Sequence, residues 1–431
     1  MRVVFATFAA AAHMQHLVPL AWAMRAAGHD VVVASQPDLI EEITGAGLAA
    51  VEIGADLRLS EQIGDKGMIA EPSGGPALDF VALTDLSCSQ PERTTYDYLH
   101  TAFTVLSMCV YPALSSERAI GDLVDFARDW KPDLIVWDTM TFAGPVAAMA
   151  TGAAHARLMF GMDMLGLARQ RYRAILASRP PGRREDPVAE WLTPLLDVYG
   201  CRFDEQAVVG QWTIDPLPAA LRLPVDLHYL PMRYVPYNGP ATVPSWLWRE
   251  SSPTRPRVCV SLGVSARDLL GGDQVSVREL LDGVADLDVD IVATLDAGQL
   301  GDSPSVPDNV RVVDFVPLNA LLPTCSAIVN HGGSGTFLTA LSHGVPQVIV
   351  PDMMWDTPQT AEWLEREGAG LCLPANGGLT AATLREAITR VLSEPSFAGR
   401  AEEVRRGLYG APAPRDVVPA LERLTAAYGG R

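Results

Sequence analysis

The sequence is short of basic residues: 33 Lys and Arg face 51 Asp and Glu in a chain of 431, for a formal net charge of −18. A surface field of that sign repels phosphate backbones and anionic lipid, which disfavours a nucleic-acid-binding role. No Cys-x-x-Cys occurs. The six cysteines (Cys88, Cys109, Cys201, Cys259, Cys325 and Cys372) are scattered, and several lie in apolar runs such as Val258-Cys259-Val260. They read as small buried hydrophobes in a reducing compartment, not as a disulfide frame. The N-terminal MRVVFATFAAAAHMQH is apolar enough to be compared with a signal peptide, but it lacks the roughly 18 apolar residues of a spanning helix. It reads as a buried strand followed by a loop, in a soluble cytoplasmic protein. Neither a Gly-Lys-Ser/Thr phosphate loop nor a complete Gly-x-Gly-x-x-Gly fingerprint is present, so a nicotinamide-dependent oxidoreductase loses its best support.

What is present is apolar and periodic. With 48% hydrophobic residues, the chain can fill a large core in each of two or three domains. Arg2–Thr7 reads as a strand, Leu17–Ala27 as a helix stopped by Gly28, and Asp30–Ser35 as a second strand, which together make a βαβ unit. Fully apolar strands of this kind imply a parallel sheet covered on both faces. The pattern continues with a helix at Pro37–Ala46, a strand at Leu48–Ile53, a helix near Glu117–Trp130 and a strand at Asp133–Trp137. Between Gly54 and Leu114 the alternation fails, a stretch too long for an ordinary connection. Leu230–Pro256, with six prolines, reads as an interdomain linker. A second alternating set follows: strands at Arg257–Leu262, Asp290–Leu295, Val310–Phe315, Ala327–Asn330 and Gln347–Val350, with helices between and after them. The expected domains are residues 1–229 and 257–431 joined by a linker at 230–256, with the last helix packing back on the first domain. The fold class is α/β, two Rossmann-like doubly wound domains facing a central cleft.

The sharpest chemical signal is Asn330-His331-Gly332-Gly333-Ser334-Gly335-Thr336, between a strand and a helix. Glycines let backbone N–H groups approach an anion, the helix start adds free donors and partial positive charge, and Ser334, Thr336 and His331 can add side-chain donors. A plain tight turn needs less than this. Phe315-Val316-Pro317-Leu318 precedes the motif and Asp356-Thr357 follows it, all at the carboxyl ends of strands, where open α/β sheets bind ligands. Asp288-Val289-Asp290 is a rival Asp-x-Asp motif, but it precedes a strand and so reads as a solvated turn. The remaining histidines show no metal-ligand spacing, and no metal is expected.

These residues resemble the nucleotide-sugar site of the GT-B glycosyltransferases, specifically the inverting family that includes plant secondary-metabolite and bacterial antibiotic enzymes. The likeness covers nearly the whole chain. LVPLAWAMRAAGH, FDEQAVVGQWTIDP, MRYVPYNGP, FVPLNALLPTC and HGVPQVIVPD look most like the activator-dependent macrolide desosaminyltransferases and their relatives. The resemblance implies that Gly333, Ser334, Gly335 and His331 hold the pyrophosphate of a thymidine-diphospho (TDP) sugar. It implies that Ser261-Leu262-Gly263 approaches the phosphates and that Phe315 stands where many relatives stack a Trp on the base. The backbone of Val316 and Leu318 would read the base edge, although Leu318 replaces the Gln of plant members. Asp356-Thr357 stands where many relatives carry Asp-Gln on sugar hydroxyls; loss of that Gln suits a deoxygenated sugar.

Inverting transfer needs a base for the acceptor hydroxyl, and histidine is poised for that near pH 7. His13 matches the family's catalytic histidine in the loop after the first strand, with His16 the near competitor. Asp138, ending its strand, matches the acidic partner that orients such a base; the alternative is a cap on the next helix. Met159–Met164, aromatic and Met-rich, suits a large apolar acceptor. The expected activity is metal-independent transfer of a deoxysugar from a TDP-sugar, the donor substrate and no cofactor, to a hydroxyl of a polyketide or macrolide-type aglycone. A sugar-nucleotide epimerase or hydrolase, and a catalytically silent auxiliary protein, are the alternatives. The resemblance further implies a cytochrome-P450-like activator engaging Glu61–Leu114, where Phe103 and Leu106 are expected on an exposed apolar helix face, and admits a homodimer.

Overall fold

Among the described residues of a computed structural model of the chain, every strand pairing is parallel. The structure describes residues 1–59, 80–88, 90–249, 255–262, 276–295, 306–351, 355–374 and 379–430. Two units form: Met1–Arg233 with Pro412–Arg431, and Tyr234–Ala411.

The first unit holds β1 (Arg2–Ala6), β2 (Asp30–Ser35), β3 (Ala49–Glu52), β4 (Leu134–Asp138), β5 (Ala154–Leu158), β6 (Trp212–Asp215) and β7 (Tyr229–Pro231), in the order β3-β2-β1-β4-β5-β6-β7. Val3, Val4 and Phe5 of β1 and Leu134, Ile135 and Trp137 of β4 have no exposed surface, because helices cover both faces of a parallel sheet. Glu117–Trp130 is one of those helices. Ser116 starts it by accepting from the Ala119 N–H at 3.2 Å, Lys131 ends it in the left-handed conformation, and Ile120, Leu123, Val124 and Ala127 form its buried stripe. The second unit repeats the plan with β8 (Arg257–Ser261), β9 (Asp290–Thr294), β10 (Val310–Val313), β11 (Ala327–Asn330), β12 (Gln347–Ile349) and β13 (Gly370–Cys372), in the order β10-β9-β8-β11-β12-β13.

Three features differ from the sequence reading. The first helix runs from Ala11 to Ala26 and places His13 on its first turn instead of in a loop. The run Ala9–Ala12 has the highest helix propensity, and Pro19, two residues into the expected Leu17–Ala27 helix, is a buried residue of the helix interior. The described parts of the expected linker at 230–256 are not free. Tyr229–Pro231 is a strand of the first sheet, Tyr234 already belongs to the second unit, and Leu247 is buried in the second unit with Cys259, Val316 and Leu321. Phe103 and Leu106 are buried, at 0% and 2% exposure. The helix Tyr96–Val105 turns its apolar face inward, with the Phe103 ring 5.4 Å from that of Tyr172. A π turn over Leu106–Val110 follows, where Pro112 has no N–H to continue the helix; Met108 on it is 73% exposed. Pro412–Arg431, which includes the last helix, groups with the first unit.

The last helix, Pro414–Tyr428, lies beside the first helix and β5. It buries Val417, Val418 and Leu421, places Glu422 Oε1 3.0 Å from His29 Nε2, and sets Tyr428 5.6 Å from Trp212. Among the described residues no helix is long and apolar enough to cross a membrane. Leu421 has no exposed surface, so Leu421→Ala is expected to destabilise the first unit by about 2–5 kcal/mol, the range for an emptied leucine site. Denaturant titration measures this; a midpoint equal to wild type would show that the last helix does not hold that unit together.

Candidate active site

In each sheet the strand order reverses once, between β1 and β4 and between β8 and β11, and such switch points open a crevice at the carboxyl ends of the strands. The first crevice holds His13 and Asp138. β1 and β4 run in register with Ala6 opposite Trp137, which puts Asp138 at the strand end beside the segment leading into the first helix. His13 Nδ1 lies 2.8 Å from Asp138 Oδ2. A carboxylate can only accept, so Nδ1–H donates, the tautomer that in a neutral ring leaves the lone pair on Nε2. Asp138 Oδ1 accepts from the Met140 N–H at 2.9 Å, which holds the carboxylate at the strand end. The next helix, Ala143–Thr151, has no side-chain cap, so Asp138 is not spent on capping it. The rings of Phe8 and Phe160 lie 4.4 and 4.3 Å from the imidazole. Of the Met159–Met164 stretch, Phe160 and the buried Met159 line the pocket beside His13 and Asp138, whereas Met162 and Met164 are buried.

His16, one turn on, differs from His13. Burial, reinforced by His13 and opposed by Asp138, pulls its imidazole down to about 4. A base that weak is poorly matched to proton removal near pH 7. His155, buried on β5 and accepting from Trp137 Nε1 at Nδ1 over 3.3 Å, is likewise pulled down to about 4 by burial.

The second crevice carries the glycine-rich turn. β11 lies in register with β8, Asn330 opposite Ser261. Asn330 Oδ1 accepts from the Gly332 N–H at 2.8 Å, and His331 Nδ1 accepts from the Gly333 N–H at 3.3 Å. Gly332 has φ +90°, the left-handed region that favours glycine, and a Cβ on Gly333 would sit 2.3 Å from His331 Cε1. The helix Ser334–His343 begins here with no side-chain cap, so the first N–H groups, at Ser334, Gly335 and Thr336, are not claimed by a capping side chain. Those three residues are partly exposed, whereas His331 is buried. Ser261 is buried and its Oγ accepts from Thr294 Oγ1 at 2.9 Å; Gly263 lies outside the described residues. Phe315 is 56% exposed, Val316 is buried and Leu318 partly so. Asp356 and Thr357 are buried at the start of the helix Thr357–Arg366, and a Cβ on Gly332 would meet Thr357 Cβ at 3.4 Å. The rival Asp288 and Asp290 sit at the amino end of β9, paired with Arg255, away from the carboxyl ends where this crevice opens. Among the described residues no group of three or more His, Cys, Asp or Glu could hold a metal ion.

The N-terminal domain of the "Erythromycin biosynthesis protein CIII-like" family matches residues 22–263, and its C-terminal domain matches residues 278–424. The chain belongs to this family. It is a glycosyltransferase with the GT-B fold, of the kind that serves antibiotic biosynthesis. It is 51% identical to the aclacinomycin-T 2-deoxy-L-fucose transferase of Streptomyces galilaeus, covering 99% of this chain and 97% of that one. It is 47% identical to the 10-deoxymethynolide desosaminyltransferase of Streptomyces venezuelae, over 99% and 98%. Among solved structures, the glycosyltransferase VinC in complex with dTDP superposes with a TM-score of 0.88 at 39% identity, over 99% of this chain and 100% of that one.

Tyr234 and Gln347, which lie within MRYVPYNGP and HGVPQVIVPD, shape this glycosyltransferase's second crevice with no chemical mark of that role in the sequence. The Tyr234 hydroxyl donates to the Gly335 carbonyl at 3.3 Å and lies 3.3 Å from Thr339 Oγ1, tying down the start of the glycine-rich helix. Gln347 receives the Asn330 side-chain amide at 2.9 Å. Phe8 and Phe160 meet at His13 only through the tertiary fold. The two buried histidines also set a pH response. Their folded values of about 4 lie below the ordinary 6.5, so between those values the unfolded chain binds protons that the folded chain refuses. Stability therefore rises with pH across that window and is lost as pH falls from about 6.5 towards 4, by up to about 3 kcal/mol per group. Denaturant midpoints measured from pH 7.5 to 4.5 should fall, and His155→Gln should flatten the fall; an unchanged slope in that variant would remove His155 from the account.

Proposed function

We propose that this enzyme moves a deoxysugar from a TDP-sugar to a hydroxyl of a polyketide or macrolide-type aglycone, with inversion at the anomeric carbon and His13 as general base. The observation that carries the reading is the His13–Asp138 hydrogen bond of 2.8 Å at the β1/β4 switch point. In the step itself the acceptor O–H gives its proton to His13 Nε2 while its oxygen forms a bond to the anomeric carbon. The bond from that carbon to the diphosphate oxygen breaks, and its electron pair leaves with TDP. Asp138 fixes the tautomer that leaves Nε2 free and stabilises the imidazolium that results. The presence of such a pair argues against a catalytically silent protein.

The diphosphate is assigned to the uncapped N–H groups of Ser334, Gly335 and Thr336 with the Ser334 and Thr336 hydroxyls, Gly333 and His331, and Ser261-Gly263 approaching the phosphates. Phe315, exposed beside the buried Val316, is assigned to the base, and the backbone of Val316 and Leu318 to its edge. Asp356 and Thr357 are assigned to the sugar. The relatives' names support this class of chemistry: they include a tylactone mycaminosyltransferase from Streptomyces fradiae and a TDP-daunosamine transferase from Streptomyces peucetius. Six unbridged cysteines fit a cytoplasmic location. A P450-like activator, if it meets the described part of Glu61–Leu114, meets the exposed Met108 and not Phe103 or Leu106. A homodimer is compatible with the scheme, since each chain carries both units.

His13→Ala should lower turnover by about 10²–10⁴ while TDP affinity, measured by calorimetry, is unchanged, and Asp138→Asn should lose less. Wild-type turnover in His13→Ala would remove the base. The charge of the diphosphate is met here by helix N–H groups, hydroxyls and His331, so EDTA should leave transfer rates unaltered. Strict dependence on added Mg²⁺ or Mn²⁺ would overturn the metal-independent reading.

A further inference from the structure

One hydrogen bond does not fix an imidazole. The contact between His13 Nδ1 and Asp138 sets one atom and one direction, and together with the bond to Cβ it still lets the ring tilt within the tolerance of the hydrogen bond, moving Nε2 away from a bound hydroxyl. Two phenyl rings oppose that tilt. Phe8 lies 4.4 Å from the imidazole at an interplanar angle of 53°, and Phe160 lies 4.3 Å away at 58°. Phe8 is buried and follows β1 directly. Phe160 is partly exposed and rides on the turn after β5, so its position depends on how that turn is held.

The turn is held unusually firmly for a connection. The Leu158 carbonyl accepts from Thr139 Oγ1 at 3.2 Å, and the Met159 N–H donates to the Ile214 carbonyl at 3.0 Å. At its far end the buried Asp163 carboxylate accepts from Arg157 Nη1 at 3.0 Å, from the Tyr229 hydroxyl at 2.5 Å and from the Gly166 N–H at 2.8 Å. Arg157 has no exposed surface. A buried ion pair with its hydrogen bonds satisfied is a rigid anchor, and it does little for stability beyond what an apolar pair would give.

We propose that Phe160 is a positioning residue for glycosyl transfer: with Phe8 it fixes the plane of the His13 imidazole, and the Arg157–Asp163–Tyr229 cluster holds Phe160 in place to do so. The proposal rests on the reading of His13 as the general base. Misplacing a reacting group by about 1 Å costs as much as 10²-fold in rate, so loss of the ring should appear in kcat.

The test is a double-variant cycle on the full-length enzyme, using the TDP-sugar and aglycone pair that the wild type turns over fastest. Phe160→Leu keeps an apolar side chain but removes the flat ring; kcat should fall by about 10–10²-fold, with acceptor KM and TDP affinity unchanged. Phe160→Tyr, which restores the ring, should recover most of the rate. In a His13→Ala background Phe160→Leu should cause no further loss, because a residue acting through His13 has nothing left to position. A raised acceptor KM at unchanged kcat would make Phe160 a wall of the acceptor site and overturn the proposal. The same fold-loss with and without His13 would also overturn it. Wild-type turnover in His13→Ala alone would instead overturn the base reading, and that single variant separates the two failures.

Discussion

The reversal of strand order in each sheet is the constraint on which the rest depends. Crossovers between parallel strands are right-handed, so a sheet that grows first one way and then the other from a central pair must cover opposite faces with its two sets of helices. The connections leaving β1 and β4 therefore part, and the space between them cannot be filled by either. His13 and Asp138 stand there, and the β8/β11 pair repeats the geometry with Ser261 and the turn after Asn330. Chemistry is placed where the backbone leaves room, and the identity of the residues decides what the room is for.

Much of this was legible. Strands such as Asp30–Ser35, Arg257–Ser261 and Ala327–Asn330 are short unbroken apolar runs, the mark of a strand buried on both faces. The glycine-rich turn stood out because a plain turn needs fewer special residues. β5 was not legible: Ala154–Leu158 carries His155 and Arg157, which argue against a buried strand until their partners, Trp137 and Asp163, are known. Those partners lie on other elements, and no local pattern announces them.

The start of the first helix and the face of Tyr96–Val105 show two further limits. Apolar helical spacing begins only at Leu17 and does not mark the true start of the first helix, yet the place of His13 beside Asp138 does not depend on whether loop or helix carries it. An apolar helix face, in turn, says only that something covers it. For Phe103 the cover is Tyr172 and Arg169 of the same unit, and sequence alone cannot tell a chain's own core from another protein's surface.

The return of residues 412–428 to the first unit has a consequence for the order of synthesis. The ribosome delivers β1 to β7 first, then all of the second unit, and only afterwards the helix that covers Leu421's site between the first helix and β5. Until then the nascent first unit shows water an apolar strip that its finished form hides. That interval is where an uncovered apolar strip is exposed to wrong partners, which gives the last-made segment a say in the fate of the first-made one.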